Sequence, residues 1–270
     1  MRPITLTRRI AFSAGHRYWD PALDAEGNRQ RFGRWASPFN HGHNYVLWVS
    51  AAGPVDTANG MVVNIKWIDD VLQERIVARC DQRSLNDEVP PFDTTPPTVE
   101  NLLAWMAREL QDLPGGVQLT ALKLEETPLL YGEWTPEMTS ITRTYEFAAS
   151  HRLHVPSLSP EENVRLFGKC NHPHGHGHNY VLEVTVSAPT DPVTGMSVSL
   201  DELDAVVDRE IVDRYDHRNL DLDVEELQGG PTTSEIVVQA IFDRLAPAVP
   251  GKLVRVRLFE TAPNVFEGTA

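Results

Sequence analysis

The chain has 270 residues, of which 41% are hydrophobic and 23% are charged, values that are ordinary for globular proteins. Its formal net charge of -14 argues against non-specific binding to nucleic acid or to an anionic membrane, because both repel an acidic surface. Two cysteines, no long apolar run and no secretory leader predict a cytoplasmic protein without a membrane or nucleic-acid partner.

The predicted elements follow one order twice: two strands, two helices and two strands. Alternating runs such as RTYEFAAS, NYVLEVTVSA and KLVRVRLFET predict strands, and NVFEG is a short closing strand. Helical spacing appears in TVENLLAWMAREL and TTSEIVVQAIFDRLAPAV, and in a longer run that opens with a predicted capping box of Ser199 and Glu202. Each half therefore predicts an α+β domain, an antiparallel four-stranded sheet with two helices on one face. Its open edges favour pairing with neighbours into a barrel.

The two halves are copies of one another. Residues of the same type recur at an offset of 135, and near the end of each half the offset becomes 134. The pairs include Phe12 and Phe147, His16 and His151, Asn44 and Asn179, Met61 and Met196, Asp81 and Asp216, and Glu126 and Glu260. The sequence predicts a tandem duplication with domains at 1–135 and 140–270.

Histidines at fixed positions in both halves predict a metal site in each domain. His176 and His178 are two apart on a predicted strand and so point to one face, and His151 ends another strand. A single His-x-His is weak evidence. However, all three histidines of the first half fall on the corresponding positions, which are His16, His41 and His43. Three neutral imidazoles with an open fourth position predict one Zn²⁺ per domain, with the second site the better supported.

Three further groups in the second half suit acid–base chemistry or ligand binding. Cys170 precedes His176 by six residues and is either a small buried side chain or a thiolate base stabilised by a nearby cation. Asp216 and His217 are either a solvated helix end or an imidazole oriented by a carboxylate. Glu260 either caps a turn or accepts two neighbouring N–H groups of a ligand.

The first half lacks the proton-transfer groups of the second. Cys170 corresponds to Trp35 and His217 to Gln82, whereas the three histidines and both acids are retained. Cys80 does not substitute for Cys170, because it corresponds to Tyr215. The first domain is therefore predicted to hold a metal without transferring protons.

Six motifs of the second half, EFAASHRL, LFGKCNHPHGHGHNY, DPVTGMSVSLDEL, YDHRNLD, PTTSEI and LFETAPN, together resemble the 6-pyruvoyltetrahydropterin synthase and 6-carboxytetrahydropterin synthase family. The first half resembles it over its full length, apart from Trp35 and Gln82. The resemblance implies the T-fold, in which three units close into a barrel. It also implies zinc at the histidine triads, Cys170 as the base and Asp216–His217 as the proton relay. By the same resemblance Glu260 anchors the pterin ring, with Thr232 and Thr233 at the substrate.

The implied activity is that of a carbon–oxygen lyase acting on phosphates, which converts 7,8-dihydroneopterin triphosphate to 6-pyruvoyltetrahydropterin with loss of triphosphate. This reaction belongs to tetrahydrobiopterin biosynthesis. Its internal redox balance needs no nicotinamide, and the sequence has no Gly-rich dinucleotide motif. The substrate partner is therefore a pterin triphosphate. From position alone, Arg165, Lys169, His172 and His174 are hypothesised to meet the triphosphate.

Two alternatives stay open. A 6-carboxytetrahydropterin synthase of the queuosine pathway takes the same substrate and releases acetaldehyde, but that branch tends to have three residues between the cysteine and His-Gly-His, where this chain has five. A non-catalytic pterin-binding protein would also suit the first half. For assembly, three two-domain chains are expected to form a trimer, with one barrel of first halves and one of second halves.

Overall fold

The structure is a computed structural model that describes residues 2–270. It divides into two compact units, one of residues 2–141 with 187–197 and the other of residues 142–186 with 198–270. The same order of elements recurs in both. Each unit contains strands and helices, as the α+β prediction requires. No helix among residues 2–270 is long and apolar enough to cross a membrane.

The first unit has four long strands, one two-residue strand and five short helices. Its sheet runs in the order β5-β4-β2-β1-β3, with the long strands antiparallel and β3 parallel to β1. The strands are β1 (Ile4–His16), β2 (His41–Gly53), β3 (Arg83–Ser84), β4 (Gln118–Thr127) and β5 (Leu130–Trp134). The helices are α1 (Ala25–Phe32), α2 (Ile65–Leu72), α3 (Ala78–Cys80), α4 (Leu85–Glu88) and α5 (Val99–Glu109).

The second unit repeats this plan. The sheet order is β10-β9-β7-β6, and the short β8 pairs in parallel with β6. The strands are β6 (Thr139–His151), β7 (His176–Ser187), β8 (Arg218–Asn219), β9 (Lys252–Thr261) and β10 (Asn264–Thr269). The helices are α6 (Pro160–Phe167), α7 (Leu200–Val207), α8 (Asp213–Tyr215) and α9 (Ser234–Leu245). The four-stranded sheet was predicted, and the short fifth strand was not.

The long strands bury alternate side chains, and this alternation aims the histidines. Phe12 and His16 are buried on one face of β1, and Tyr45 is buried on β2. The register pairs Phe12 with Tyr45 and His16 with His41, so these residues share a face of the sheet. The Phe12 and Tyr45 rings stack with centroids 5.2 Å apart. The imidazoles therefore extend a core-facing row to the end of the two strands.

The long predicted helix of each unit is interrupted by a wide turn. In the first unit α2 continues through a π-helical segment, Gln73–Val77, into α3, and in the second α7 continues through Asp208–Val212 into α8. Such segments are rare and often lie near functional sites. Here each precedes the acid that the sequence analysis singled out, Asp81 or Asp216. Helical periodicity does not reveal an added residue of this kind.

Three helices were missed, namely α1, α6 and the four-residue α4, and one cap differs from the prediction. Helices α1 and α6 lie between the first two long strands of each unit, where no helix was expected. The full capping box belongs to α6, where Ser159 and Glu162 bond reciprocally. At α7 the Ser199 hydroxyl accepts the Glu202 N–H at 3.3 Å, but the return bond is not formed.

Candidate metal centre and active site

Each unit brings its three predicted histidines into one cluster. In both His16–His41–His43 and His151–His176–His178, one ring nitrogen from every residue lies within 4.8 Å of the others. The strand register produces this arrangement, because it pairs His16 with His41 and Ala14 with His43 across β1 and β2. Two residues on one strand and one on its neighbour thus supply three imidazoles on a single face.

A main-chain carbonyl orients the first histidine of each cluster. His16 Nδ1 lies 3.2 Å from the Pro97 carbonyl oxygen, and His151 Nδ1 lies 2.8 Å from the Thr232 carbonyl oxygen. A carbonyl accepts hydrogen bonds only, so Nδ1 carries the proton and the lone pair stays on Nε2. This is the outer-shell arrangement common around histidine metal ligands. These carbonyls could not be predicted from the sequence, since any residue type can provide one.

Buried nitrogens in both clusters lack a hydrogen-bond partner among the described residues. They include Nε2 of His16, His43 and His178. In the second cluster Nε2 of His151 lies 3.2 Å from Nε2 of His176, and Nδ1 of His176 is buried without a hydrogen-bond partner among the described residues. Buried polar atoms without partners are costly, and a divalent cation between the rings would satisfy them. The residues therefore fit a three-histidine metal site in each unit.

The clusters favour neutral imidazoles, the form that binds metal. Burial, reinforced by the neighbouring histidines, lowers the pKa of His16 from 6.5 to about 3. Burial and His41 lower the pKa of His43 to about 4. The pKa values of His176 and His178 are also lowered, mainly by burial. All four rings are therefore neutral at pH 7 without a metal.

A glutamate lies beside each cluster. Glu260 Oε1 is 3.8 Å from His151 Nε2 and 3.9 Å from His178 Nε2, and it accepts a hydrogen bond from the Ser234 hydroxyl at 2.8 Å. Glu126 takes the same place in the first unit, 3.5 Å from His16 Nε2, and accepts from the Tyr45 hydroxyl at 3.3 Å. Both carboxylates thus lie next to the nitrogen atoms that would hold a metal. The pterin-anchoring role of Glu260 stays a prediction.

Asp216 and His217 form a hydrogen-bonded pair. Asp216 Oδ2 lies 2.7 Å from His217 Nδ1, and Asp216 Oδ1 accepts the Ala148 N–H at 2.7 Å. This N–H bond, with the contribution of His217, lowers the pKa of Asp216. The His217 side chain is 84% exposed, and its backbone has a left-handed φ of 56°. Gln82 has a φ of 58°, so the first unit retains this backbone conformation without the imidazole.

Cys170 lies half-buried in the turn Gly168–Asn171, whose fold is fixed by a hydrogen bond from the Leu153 N–H to the Cys170 carbonyl at 2.9 Å. Among the described residues, no hydrogen bond joins Cys170 or His217 to the histidine cluster. In the first unit Trp35 takes the corresponding turn, and the Arg34 guanidinium lies over its ring at 4.6 Å. Cys80 is fully buried, which raises the pKa of its thiol to about 12 and leaves it unreactive.

The remaining predicted residues are distributed as follows. The Thr232 side chain is fully buried and its hydroxyl donates to Asp221 Oδ1 at 2.6 Å, while Thr233 is the N-cap residue of α9. Their substrate-binding roles stay predictions. The four residues hypothesised to meet the triphosphate, Arg165, Lys169, His172 and His174, are all exposed.

The chain matches a known protein family over nearly its whole length. The family model for 6-pyruvoyl tetrahydropterin synthase matches residues 5–137 and again residues 140–269. The chain is 46% identical over 128 residues to the 6-pyruvoyl tetrahydrobiopterin synthase of Drosophila melanogaster, covering 47% of this chain and 76% of that protein. It is 27% identical over 148 residues to the 6-carboxy-5,6,7,8-tetrahydropterin synthase of Rickettsia conorii, covering 48% of this chain and 99% of that protein.

A solved structure, 6-pyruvoyl tetrahydropterin synthase of Caenorhabditis elegans, is 39% identical to the chain and covers 48% of this chain and 94% of that one, with a TM-score of 0.47. The family model accounts for nearly all of the sequence in two consecutive matches, in agreement with the predicted duplication. The chain therefore belongs to the 6-pyruvoyl tetrahydropterin synthase family and carries two tandem copies of its domain.

Proposed function

We propose that the second domain, residues 140–270, converts 7,8-dihydroneopterin triphosphate to 6-pyruvoyltetrahydropterin with loss of triphosphate. The first domain, residues 1–135, is proposed to be a degenerate copy that holds metal without catalysis. The observation that carries this proposal is the contrast between the units. Both have the histidine cluster and its glutamate, whereas only the second has Cys170 and the Asp216–His217 pair.

In the proposed mechanism, His151, His176 and His178 hold a Zn²⁺ ion that, when bound, acts as a Lewis acid on the side-chain oxygens of the substrate. Cys170 takes a proton from a hydroxyl-bearing side-chain carbon as its thiolate. Asp216 accepts from His217 Nδ1, which orients the ring for its proposed role as a proton donor. Glu260 accepts the neighbouring N–H groups of the pterin ring.

We further propose that the active site is completed by a second chain. Within residues 2–270 Cys170 and His217 form no hydrogen bond to the histidine cluster, and His217 is 84% exposed, which supports a relay that acts across a subunit boundary. A trimer of two-domain chains would supply three such boundaries in a barrel of second domains. Mass measurement in solution tests this assembly, and a stable monomer would contradict it.

One assay separates the proposal from its alternatives. Purified, zinc-loaded protein is incubated with dihydroneopterin triphosphate, and the release of triphosphate and of acetaldehyde is measured. Triphosphate without acetaldehyde supports the proposed activity. Acetaldehyde identifies a 6-carboxytetrahydropterin synthase, a second candidate favoured by the similarity to the Rickettsia protein but disfavoured by the five residues between Cys170 and His176. If neither triphosphate nor acetaldehyde is released, the chain is a non-catalytic pterin-binding protein. Cys170→Ala is the control and should be inactive.

A further inference from the structure

Both units contain a cavity next to the histidine cluster, at equivalent places in the repeat. The cavity of the second unit has a volume of about 430 Å³, and that of the first about 300 Å³. Arg152 lines the second and Arg17 the first, at the repeat offset of 135. Arg152 directly follows the cluster residue His151, and Gly175, also in the lining, directly precedes His176. The cavity is therefore lined by the chain neighbours of two cluster residues.

The cavity of the second unit presents hydrogen-bond donors and a positive charge. Its lining includes His154 and His174 beside Arg152. The Arg152 side chain donates from Nε to the Asn171 carbonyl at 3.2 Å and, within the part of the chain that is described, forms no ion pair with a carboxylate. Asp221 is the acidic residue of the lining. Its two oxygens already accept the Arg152 main-chain N–H and the Thr232 hydroxyl, each at 2.6 Å.

The cavity of the first unit has the opposite character. The Arg17 guanidinium is held by Asp87 in two hydrogen bonds of 2.7 Å each, which neutralises its charge. At the repeat offset, Asp87 corresponds to Leu222, which is 73% exposed and has no charge. Trp19 takes the place of His154, and the lining adds Asp93 together with Asp20 and Arg31, which form an ion pair with each other. Both cavities thus contain an arginine at the same position of the repeat. The charge of Arg17 is paired with a carboxylate, whereas that of Arg152 is available to an anionic ligand.

We propose that the Arg152 cavity of the second unit binds the triphosphate group of the substrate and that the Arg17 cavity of the first unit does not. This inference rests on the proposed function for the identity of the ligand. The planar guanidinium suits two phosphate oxygens at once, and the neighbouring imidazoles add donors. In a chain of net charge -14, a local cationic cavity is also what an anionic substrate requires.

The test transfers the acid of the first unit into the second. Leu222→Asp should pair with Arg152 as Asp87 pairs with Arg17, and Leu222→Asn is the matched control of similar size without charge. Inorganic triphosphate is titrated calorimetrically into metal-loaded, full-length protein. Metal content is measured afterwards, because triphosphate binds divalent ions itself. We expect one site per chain, with a dissociation constant raised about ten-fold or more by Leu222→Asp and little changed by Leu222→Asn.

Two further variants keep the inference falsifiable. Arg152→Gln should weaken triphosphate binding as Leu222→Asp does, and Arg17→Gln should leave it unchanged. The affinity for unphosphorylated neopterin should stay the same in all of them. Unchanged triphosphate binding in both Leu222→Asp and Arg152→Gln, or an equal loss in Arg17→Gln, would overturn the inference.

The outcome can be separated from that of the proposed function. If wild-type protein turns over but KM for dihydroneopterin triphosphate is the same in Leu222→Asp, the triphosphate site is wrong and the activity stands. If triphosphate binding follows Arg152 but no product forms, the activity is wrong and the anion site stands.

Discussion

Acid should destabilise the metal-free first unit through His16. This imidazole is fully buried, and its pKa is lowered from 6.5 to about 3 in the folded protein. A base whose folded pKa is lowered stabilises the fold above its unfolded pKa. That contribution is lost as the pH falls from 6.5 towards 3, because the unfolded chain binds the proton first.

The size of the effect follows from the unfolded value alone. At pH 5 the solution lies 1.5 pH units below the unfolded pKa of 6.5, so the unfolded histidine binds a proton. Each pH unit below that pKa stabilises the unfolded chain by about 1.4 kcal/mol. The folded form stays neutral at pH 5, so the folded pKa contributes almost nothing to the free-energy difference. Lowering the pH from 7 to 5 should therefore cost about 2 kcal/mol of unfolding free energy from His16.

The assay is urea unfolding of chelator-treated protein at pH 7 and pH 5, followed by tryptophan fluorescence. All six tryptophans lie before residue 141, so the signal reports on the first unit. His16→Gln keeps an N–H that can donate to the Pro97 carbonyl but does not titrate, and it should lose about 2 kcal/mol less than wild type between the two pH values. An equal pH dependence in both proteins would refute the assignment of a neutral, buried His16.

Metal analysis by plasma mass spectrometry should find two ions per chain, and His178→Ala should lower this to one; an undiminished content would place the ion elsewhere. His217→Gln should keep the melting temperature and metal content while turnover falls by about 10²- to 10⁴-fold, because Gln82 already occupies the same left-handed backbone position. A variant that unfolds, or stays active, would contradict this. Asp204→Ala removes the carboxylate from Arg143, whose side chain is 13% exposed, and should cost about 3 kcal/mol, whereas Asp69→Ala breaks the equivalent but more exposed pair and should cost less than about 1 kcal/mol. Equal losses in urea unfolding followed by circular dichroism would refute the dependence on burial.

The histidine clusters could be predicted from the sequence because strand geometry is regular. Residues two apart on one strand share a face, and a repeat of known offset identifies the third ligand without a contact map. The strands themselves were predictable for the same reason, since one face of each is buried. These features depend on periodicity and on residue identity, both of which the sequence displays directly.

The features that escaped prediction depend on the backbone or on short segments. The Pro97 and Thr232 carbonyls orient His16 and His151 through groups that every residue carries. The π-helical segments add a residue to a turn without changing the apolar pattern. Helix α6 has only eight residues, with Val164 and Leu166 exposed, so its sequence lacks the buried stripe that identifies a helix.

Burial explains why the first unit retains two of the shared residues, His16 and Glu126. His16 and Glu126 are buried, so replacing either one would leave a cavity or a polar neighbour without its partner. The groups that differ between the units are of another kind. Cys170 is half-buried in a turn, and His217 is largely exposed on a backbone conformation that Gln82 also adopts. If only the second unit is catalytic, as proposed, these positions could change in the first unit at little cost in stability. The proposed function and the burial of His16 and Glu126 thus account for different parts of the contrast between the units.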